Sequence, residues 1–158
     1  MPKPKRSWRE KLADSKDLPK TIVLDGRAKA KWGEGVMVIP APRDVDALMR
    51  KVPAKKIVTT TSLRSALARN ASVDSACPIT TGIFAWIAAN AAEEESAAKA
   101  TARVTPYWRT LKTGGILNEK YPGGVDRQKE RLEAEGHTVV KKGKNHLVVD
   151  HEKKLFAF

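Results

Sequence analysis

The feature that most constrains this chain is a run of helical patterns between Arg43 and Ala100, interrupted by Pro53 and Pro78. From Arg43, the apolar residues Val45, Leu48 and Met49 fall at i, i+3 and i+4, and Pro53 ends that run. Ile57 to Thr60 is β-branched and reads as extended. Ser62 is placed to cap a second helix reaching Arg69, with Leu63, Ala66 and Leu67 on one face. Asn70 to Pro78 is polar and turn-rich. Thr80 or Thr81 then caps a third helix on which Ile83, Trp86, Ile87 and Asn90 share a face, and the Ala- and Glu-rich sequence beyond carries it to about Ala100. Two helices across a turn-rich connector predict a helix-turn-helix.

The flanks are different in kind. Residues 1–34 hold Pro2, Pro4, Pro19, Gly26 and Gly33 and read as an extended basic arm, with a helical turn around Trp8 to Leu12 and a strand at Thr21 to Leu24. Trp8 and Trp32 are expected to dock it, because large aromatic surfaces gain most from burial. Val36 to Ile39 is a short strand closed by Pro40 and Pro42. At the other end, Thr138–Lys141 and His146–Val149 flank Gly143-Lys144-Asn145 and predict a hairpin. The expected division is an arm over 1–40, a helical domain over 41–137 and a hairpin tail over 138–158.

Charge narrows the partners. Thirty Lys and Arg against eighteen Asp and Glu give a net charge of +12 in 158 residues, which favours a polyanion such as nucleic acid. The excess lies in the first half and in the tail, whereas residues 91–136 are balanced. Cys77 is the only cysteine, so no internal disulfide can form, and His137, His146 and His151 are too scattered for a metal site. The longest apolar run, Ile83 to Ala89, falls far short of the roughly 20 residues a membrane span requires, and the charged start lacks a signal-peptide core. A cytoplasmic location without membrane contact is expected.

The C-terminal third carries a more specific pattern. It reads Pro106-Tyr107-Trp108-Arg109, then Gly114-Gly115-Ile116-Leu117, Tyr121-Pro122-Gly123-Gly124, and Leu132 with Glu135-Gly136. This resembles the active-site block of the methylguanine-DNA methyltransferases: Pro-Cys-His-Arg, a Gly-x-Leu turn, Tyr-x-Gly-Gly and a helix ending Glu-Gly. Val52-Pro53-Ala54-Lys55-Lys56-Ile57-Val58-Thr59 is similar to the segment that leads into the paired helices of that family. The resemblance covers about residues 43–137. It implies a mainly α fold with a small β component, a winged-helix-like helix-turn-helix DNA-binding domain.

The departures matter as much as the match. Tyr107 stands where the family's acceptor cysteine belongs, and Trp108 where its histidine belongs. Alkyl transfer needs an activated thiolate, which a phenol beside an indole does not supply. In this respect the chain is similar to the cysteine-less alkyltransferase-like proteins, which bind alkylated guanine without repairing it. The family's base-flipping tyrosine falls on Thr60 and its intercalating arginine on Thr81.

The resemblance therefore implies a pocket of Tyr107, Trp108, Arg109, Tyr121, Pro122, Gly123 and Gly124, with Asn90 bonding the turn and Glu135 facing Trp108 or Arg109. The expected DNA-contacting residues are Lys55, Lys56, Thr60, Arg64, Arg69, Thr80 and Thr81. The leading reading is a non-catalytic monomer that binds double-stranded DNA, with O6-alkylguanine as the lesion and a repair protein as second partner, using no cofactor or metal. Two alternatives stay open. One is an active alkyltransferase using Cys77. The other is a structural or protein-interaction descendant whose pocket is closed, with Glu93 to Glu95 as its contact face.

Overall fold

A computed structural model describes residues 5–158; the first four residues of the expected arm lie outside that range. α1 (Trp8–Ala13) and α2 (Gly26–Trp32) belong to the N-terminal segment, and α3 (Pro42–Arg50) opens the helical core. Pro42 occupies the first turn of α3, where its missing N–H costs nothing, and the Asp44 carboxylate accepts from the Ala41 N–H at 2.9 Å. Val45, Leu48 and Met49 are buried, as their spacing predicts.

α4 (Thr60–Asn70) begins earlier than a Ser62 cap would allow. Its cap is Thr59, whose side chain accepts from the Ser62 N–H at 3.2 Å. Thr59 also ends strand β3 (Val58–Thr59), which pairs in parallel with β5 (Thr110–Leu111). That pairing holds Thr59 in the extended conformation a capping residue needs.

α5 (Pro78–Ala98) corrects a second cap. It starts at Pro78 with Cys77 before it, because the residue preceding a proline is driven out of the helical region. Neither Thr80 nor Thr81 caps the helix. Thr81 is fully buried and its hydroxyl donates to the Cys77 carbonyl at 2.7 Å. The buried seam of α5 is Thr81, Ala85, Ala88, Ala89 and Ala92, not the face bearing Ile83 and Trp86. Small side chains let α5 lie close against α3, and Ile79 and Ile83 are left on the outside. Met49 and Leu63 have no exposed surface, so each contributes about 1.5–3 kcal/mol of burial.

The N-terminal segment is tied into this core. β1 (Lys20–Leu24) pairs antiparallel with β2 (Gly35–Ile39), and β2 pairs in parallel with β4 (Ser75–Ala76) in the helix-turn-helix connector. Trp8 packs edge-on against Trp86 with ring centroids 4.7 Å apart, and the Glu94 carboxylate accepts from the Trp8 and Arg9 N–H groups. The α2 helix differs from the expected extended arm. Asp25 at its N-cap position and the Ala- and Lys-rich run that follows are helix-compatible, and Trp32 packs on Leu24, Met37 and Cys77.

The C-terminal segment closes the other side. α6 (Gly124–Ala134) is followed by β6 (Val139–Lys142) and β7 (Asn145–Val148), the expected hairpin, turning at Gly143-Lys144. Leu117 and Val148 N–H groups donate to the His146 and Gly115 carbonyls, fastening the hairpin to the Gly114–Leu117 turn. Gly115 has φ +77°, and a Cβ there would run into the His151 ring. The tail then brackets Ile57, which donates to Lys154 O and accepts from Phe156 N. The architecture is mainly α with small β sheets.

Candidate nucleic-acid interface

Tyr107 lies in a 3-10 turn, Tyr107–Arg109, that runs directly into β5 beside the start of α4. Its ring is only 1% exposed and packs edge-on against both Trp108 and Tyr121, each with centroids 5.4 Å away. The hydroxyl donates to Glu93 Oε1 at 2.6 Å. Arg127 and Arg131 each donate to the same carboxylate at 3.2 Å, and the Arg131 guanidinium lies 4.5 Å over the Trp108 ring. Burial, reinforced by the Glu93 carboxylate, pushes the Tyr107 phenol up to about 12. It is a neutral donor at physiological pH and not a nucleophile.

The neighbouring side chains are equally committed. Trp108 donates its indole N–H to Glu135 Oε1 at 3.1 Å, and Arg109 grips Glu135 through Nε at 2.9 Å and Nη2 at 2.5 Å. Arg109 Nη1 also donates to the Val52 carbonyl at 2.8 Å, tying this turn to the end of the α3 segment. Glu135 thus faces both groups that the sequence offers it. Gln128 escaped the sequence reading. It is buried, donates to Trp108 O at 3.1 Å and accepts from the Asn118 N–H at 2.8 Å, bracing the turn against the next loop. Its only signal was an uncharged polar side chain in an otherwise strongly charged helix.

Two expectations about the pocket are corrected. Asn90 does not bond the Tyr107 turn; its amide donates to Trp86 O one turn back in α5. The continuation of α5 past Asn90 brings Glu93 to Tyr107 instead. Tyr121 is buried, and burial pushes its phenol up. With Pro122 and the left-handed Gly123 (φ +80°), it leads the chain into α6 at Gly124. The Tyr121–Gly124 loop builds a helix start around a filled space.

The open surface is next to the helix-turn-helix. A groove of about 610 Å³ lies between the start of α4 (Thr60, Thr61, Arg64), the first turns of α5 (Pro78, Ile79, Gly82, Ile83, Trp86) and the loop residues Lys112, Thr113 and Asn118 to Lys120. Tyr107, Trp108 and Arg109 are not among its lining residues. Thr61 and Thr113 hydroxyls meet at 2.9 Å, and the Trp86 indole N–H donates to Lys120 O at 3.1 Å. Arg64, Lys112 and Lys120 supply positive charge against Glu119, whose carboxyl the Lys112 ammonium, 2.8 Å away, holds below its usual range.

The expected DNA-contacting residues do not form one patch. Thr60 and Arg64 line the groove, although Arg64 Nε is engaged by Ala76 O at 3.0 Å. Lys55 and Lys56 are exposed in the turn before β3. Arg69 sits nine residues along α4 from Thr60, about 13 Å at 1.5 Å per residue, beside Phe156 and Phe158. The Thr80 hydroxyl is buried without a partner, and Thr81 is wholly enclosed, so neither hydroxyl is presented for contact. Lys112, Lys120, Ile79 and Gly82 also line the groove, and no motif of the sequence points to them. Cys77 is buried with Leu24 and Met37 beneath the β1–β2 pair and does not line the groove.

Among the described residues no helix is long and apolar enough to cross a membrane, and no group of three His, Cys, Asp or Glu residues is placed to hold a metal ion. No family model matches the chain, and no curated protein does. Two solved structures are similar to it. S. pombe ATL in complex with DNA superposes with a TM-score of 0.53 at 17% identity, covering 74% of this chain and 94% of its own. S. pombe Atl1 in complex with damaged DNA containing O6-carboxymethylguanine has a TM-score of 0.49 at 16% identity over the same shares. The first of these likenesses establishes the fold: about three-quarters of this chain shares the fold of S. pombe ATL.

Proposed function

We propose that this protein is a non-catalytic duplex-DNA-binding protein that docks its cation-rimmed groove on damaged sites. The observation that carries the reading is the groove itself. It is an open surface beside the helix-turn-helix, formed by the start of α4, the start of α5 and the Lys112–Lys120 segment, in a chain of net charge +12. The fold shared with S. pombe ATL, itself solved in complex with DNA, supports it. The absence of turnover is supported by Tyr107, a phenol held neutral by its burial and by Glu93, by Trp108, which cannot act as a base, and by the burial of Cys77.

O6-alkylguanine is the lesion to test first, on the strength of the sequence resemblance. Because Tyr107 fills its own site, any lesion preference arises at the groove. Fluorescence anisotropy with matched modified and unmodified duplexes tests this reading. Binding is expected with weak sequence preference and an affinity that falls steeply between about 50 and 200 mM salt. Absence of duplex binding at low salt contradicts it. The second reading, a closed-pocket protein-interaction module, is favoured by the saturated contacts around Tyr107, and salt-dependent duplex binding counts against it.

A further inference from the structure

Most large apolar side chains of this molecule are buried, yet Ile79 and Ile83 are 51% and 45% exposed. Single exposed apolar residues are ordinary. These two are not single. They stand at i and i+4 on the first turns of α5, so they share one face, and both line the groove. Between them Gly82 presents bare backbone: a Cβ added there would meet nothing within 4 Å. Nothing in the fold requires glycine at that position, and in a helix interior it costs about 1 kcal/mol relative to alanine. Trp86, pinned by its bond to Lys120 O, continues the same stripe one turn later.

The surroundings of this stripe are cationic. Arg64, Lys112 and Lys120 flank it, with Glu119 the one acidic residue lining the groove. An apolar ridge on a basic rim does not suit another basic surface, and a second copy of this +12 chain would bring one. It suits a polyanion whose interior is apolar. Duplex DNA has that composition: phosphates outside, stacked bases within. Proteins that deform DNA commonly push isoleucine, leucine or proline between base steps, and a strip without side chains lets the backbone approach closely enough to do so.

We infer that Ile79 and Ile83, with the Gly82 backbone between them, form an apolar wedge that unstacks a weakened base step in bound duplex DNA. The inference rests on the DNA-binding reading above. It assigns to the wedge the selectivity for mispaired or damaged positions, because unstacking is cheapest there.

The test uses the full chain and duplexes carrying 2-aminopurine beside a mismatch or an O6-alkylguanine, with brightening reporting unstacking and anisotropy reporting affinity. The wild-type protein should brighten the probe. Ile79→Gln combined with Ile83→Gln, both exposed and so harmless to the core, should abolish most of the brightening and weaken binding to the damaged duplex about tenfold, or 1.4 kcal/mol. The salt dependence should not change, since no phosphate contact is removed. Gly82→Leu, which fills the bare strip with a good helix former, should have the same effect without loss of thermal stability. Unchanged brightening in both variants overturns the wedge. Duplex binding by the wild-type chain without brightening overturns the wedge but leaves the DNA-binding reading standing, whereas no duplex binding at low salt removes both. Loss of self-association in the isoleucine variant, with DNA binding intact, assigns the ridge to contact between copies and also overturns it.

Discussion

The turn around Tyr107 and the groove beside α5 differ in what they leave open: the turn's side chains are buried on one another, whereas the groove keeps apolar side chains and bare backbone exposed beside polar groups that are partly paired. At the turn, Tyr107, Trp108, Arg109 and Glu135 each have partners within the protein, and Glu93 gathers a phenol and two guanidinium groups. At the groove, two isoleucines stand exposed, a glycine backbone is bare, Lys120 is exposed and Lys112 is paired with Glu119. A resemblance carried by sequence points to the first region, because that is where the family pattern is densest. The proposed function puts DNA contact at the second. Residues can persist in the pattern of an active site while serving only to hold its turn together.

Substitutions at the turn should therefore cost stability, and substitutions at the groove should cost binding. The largest effect is expected from Arg109→Met. It leaves the largely buried Glu135 carboxylate with only the Trp108 indole, at a cost of about 3–5 kcal/mol in chemical denaturation. Tyr107→Phe should follow at about 1.5–3 kcal/mol, because it removes a hydrogen bond to a charged acceptor and keeps the ring packing. Both variants, where folded, should bind duplex DNA like the wild-type chain. Selective loss of damaged-DNA binding in Tyr107→Phe at unchanged stability would give the turn a binding role.

A smaller effect should appear in the pH dependence of stability. His137 is buried with neither ring nitrogen hydrogen-bonded, and burial, opposed by Glu135, holds its imidazole below the ordinary value of 6.5. As pH falls below about 6.5, the unfolded chain takes up a proton that the folded chain does not yet accept. Stability should fall with pH across that window, and His137→Phe should flatten the slope in denaturation midpoints measured from pH 7.5 to 5.5. The smallest stability change should come from Lys120→Ala. It lies on the exposed rim and should alter stability by no more than about 0.5 kcal/mol, while reducing the salt slope of DNA binding by about one.

How much of this was legible in the sequence depended on what punctuated it. Pro42, Pro53 and Pro78 and the 3.6-residue spacing of Val45, Leu48 and Met49 announce the helical core, and Gly143-Lys144 announces the hairpin. The caps were harder to place. Thr59 is set by a strand pairing with Thr110 and Leu111, fifty residues away, which no local pattern reports. The site was harder still, because α5 is apolar on two faces. Periodicity cannot say whether isoleucine or alanine faces the core, and close packing against α3 selected alanine. The same choice enclosed Thr81 and left Ile79 and Ile83 outside. Glu93 was visible as part of an acidic run that reads as a contact surface for another protein. Its actual partners, Tyr107, Arg127 and Arg131, lie fourteen to thirty-eight residues further along.

The proposed function puts DNA against the groove rather than against the Tyr107 turn. It is tested most directly by titrating one duplex against two variants at about 50 mM salt, where phosphate contacts dominate affinity. One carries Lys112→Glu with Lys120→Glu, and the other carries Tyr107→Phe. The charge reversal at the groove rim should weaken binding more than about tenfold, and the phenylalanine variant should bind within about twofold of the wild-type chain. Wild-type affinity in the rim variant, together with lost affinity in a folded Tyr107→Phe, would move the DNA contact from the groove to the turn.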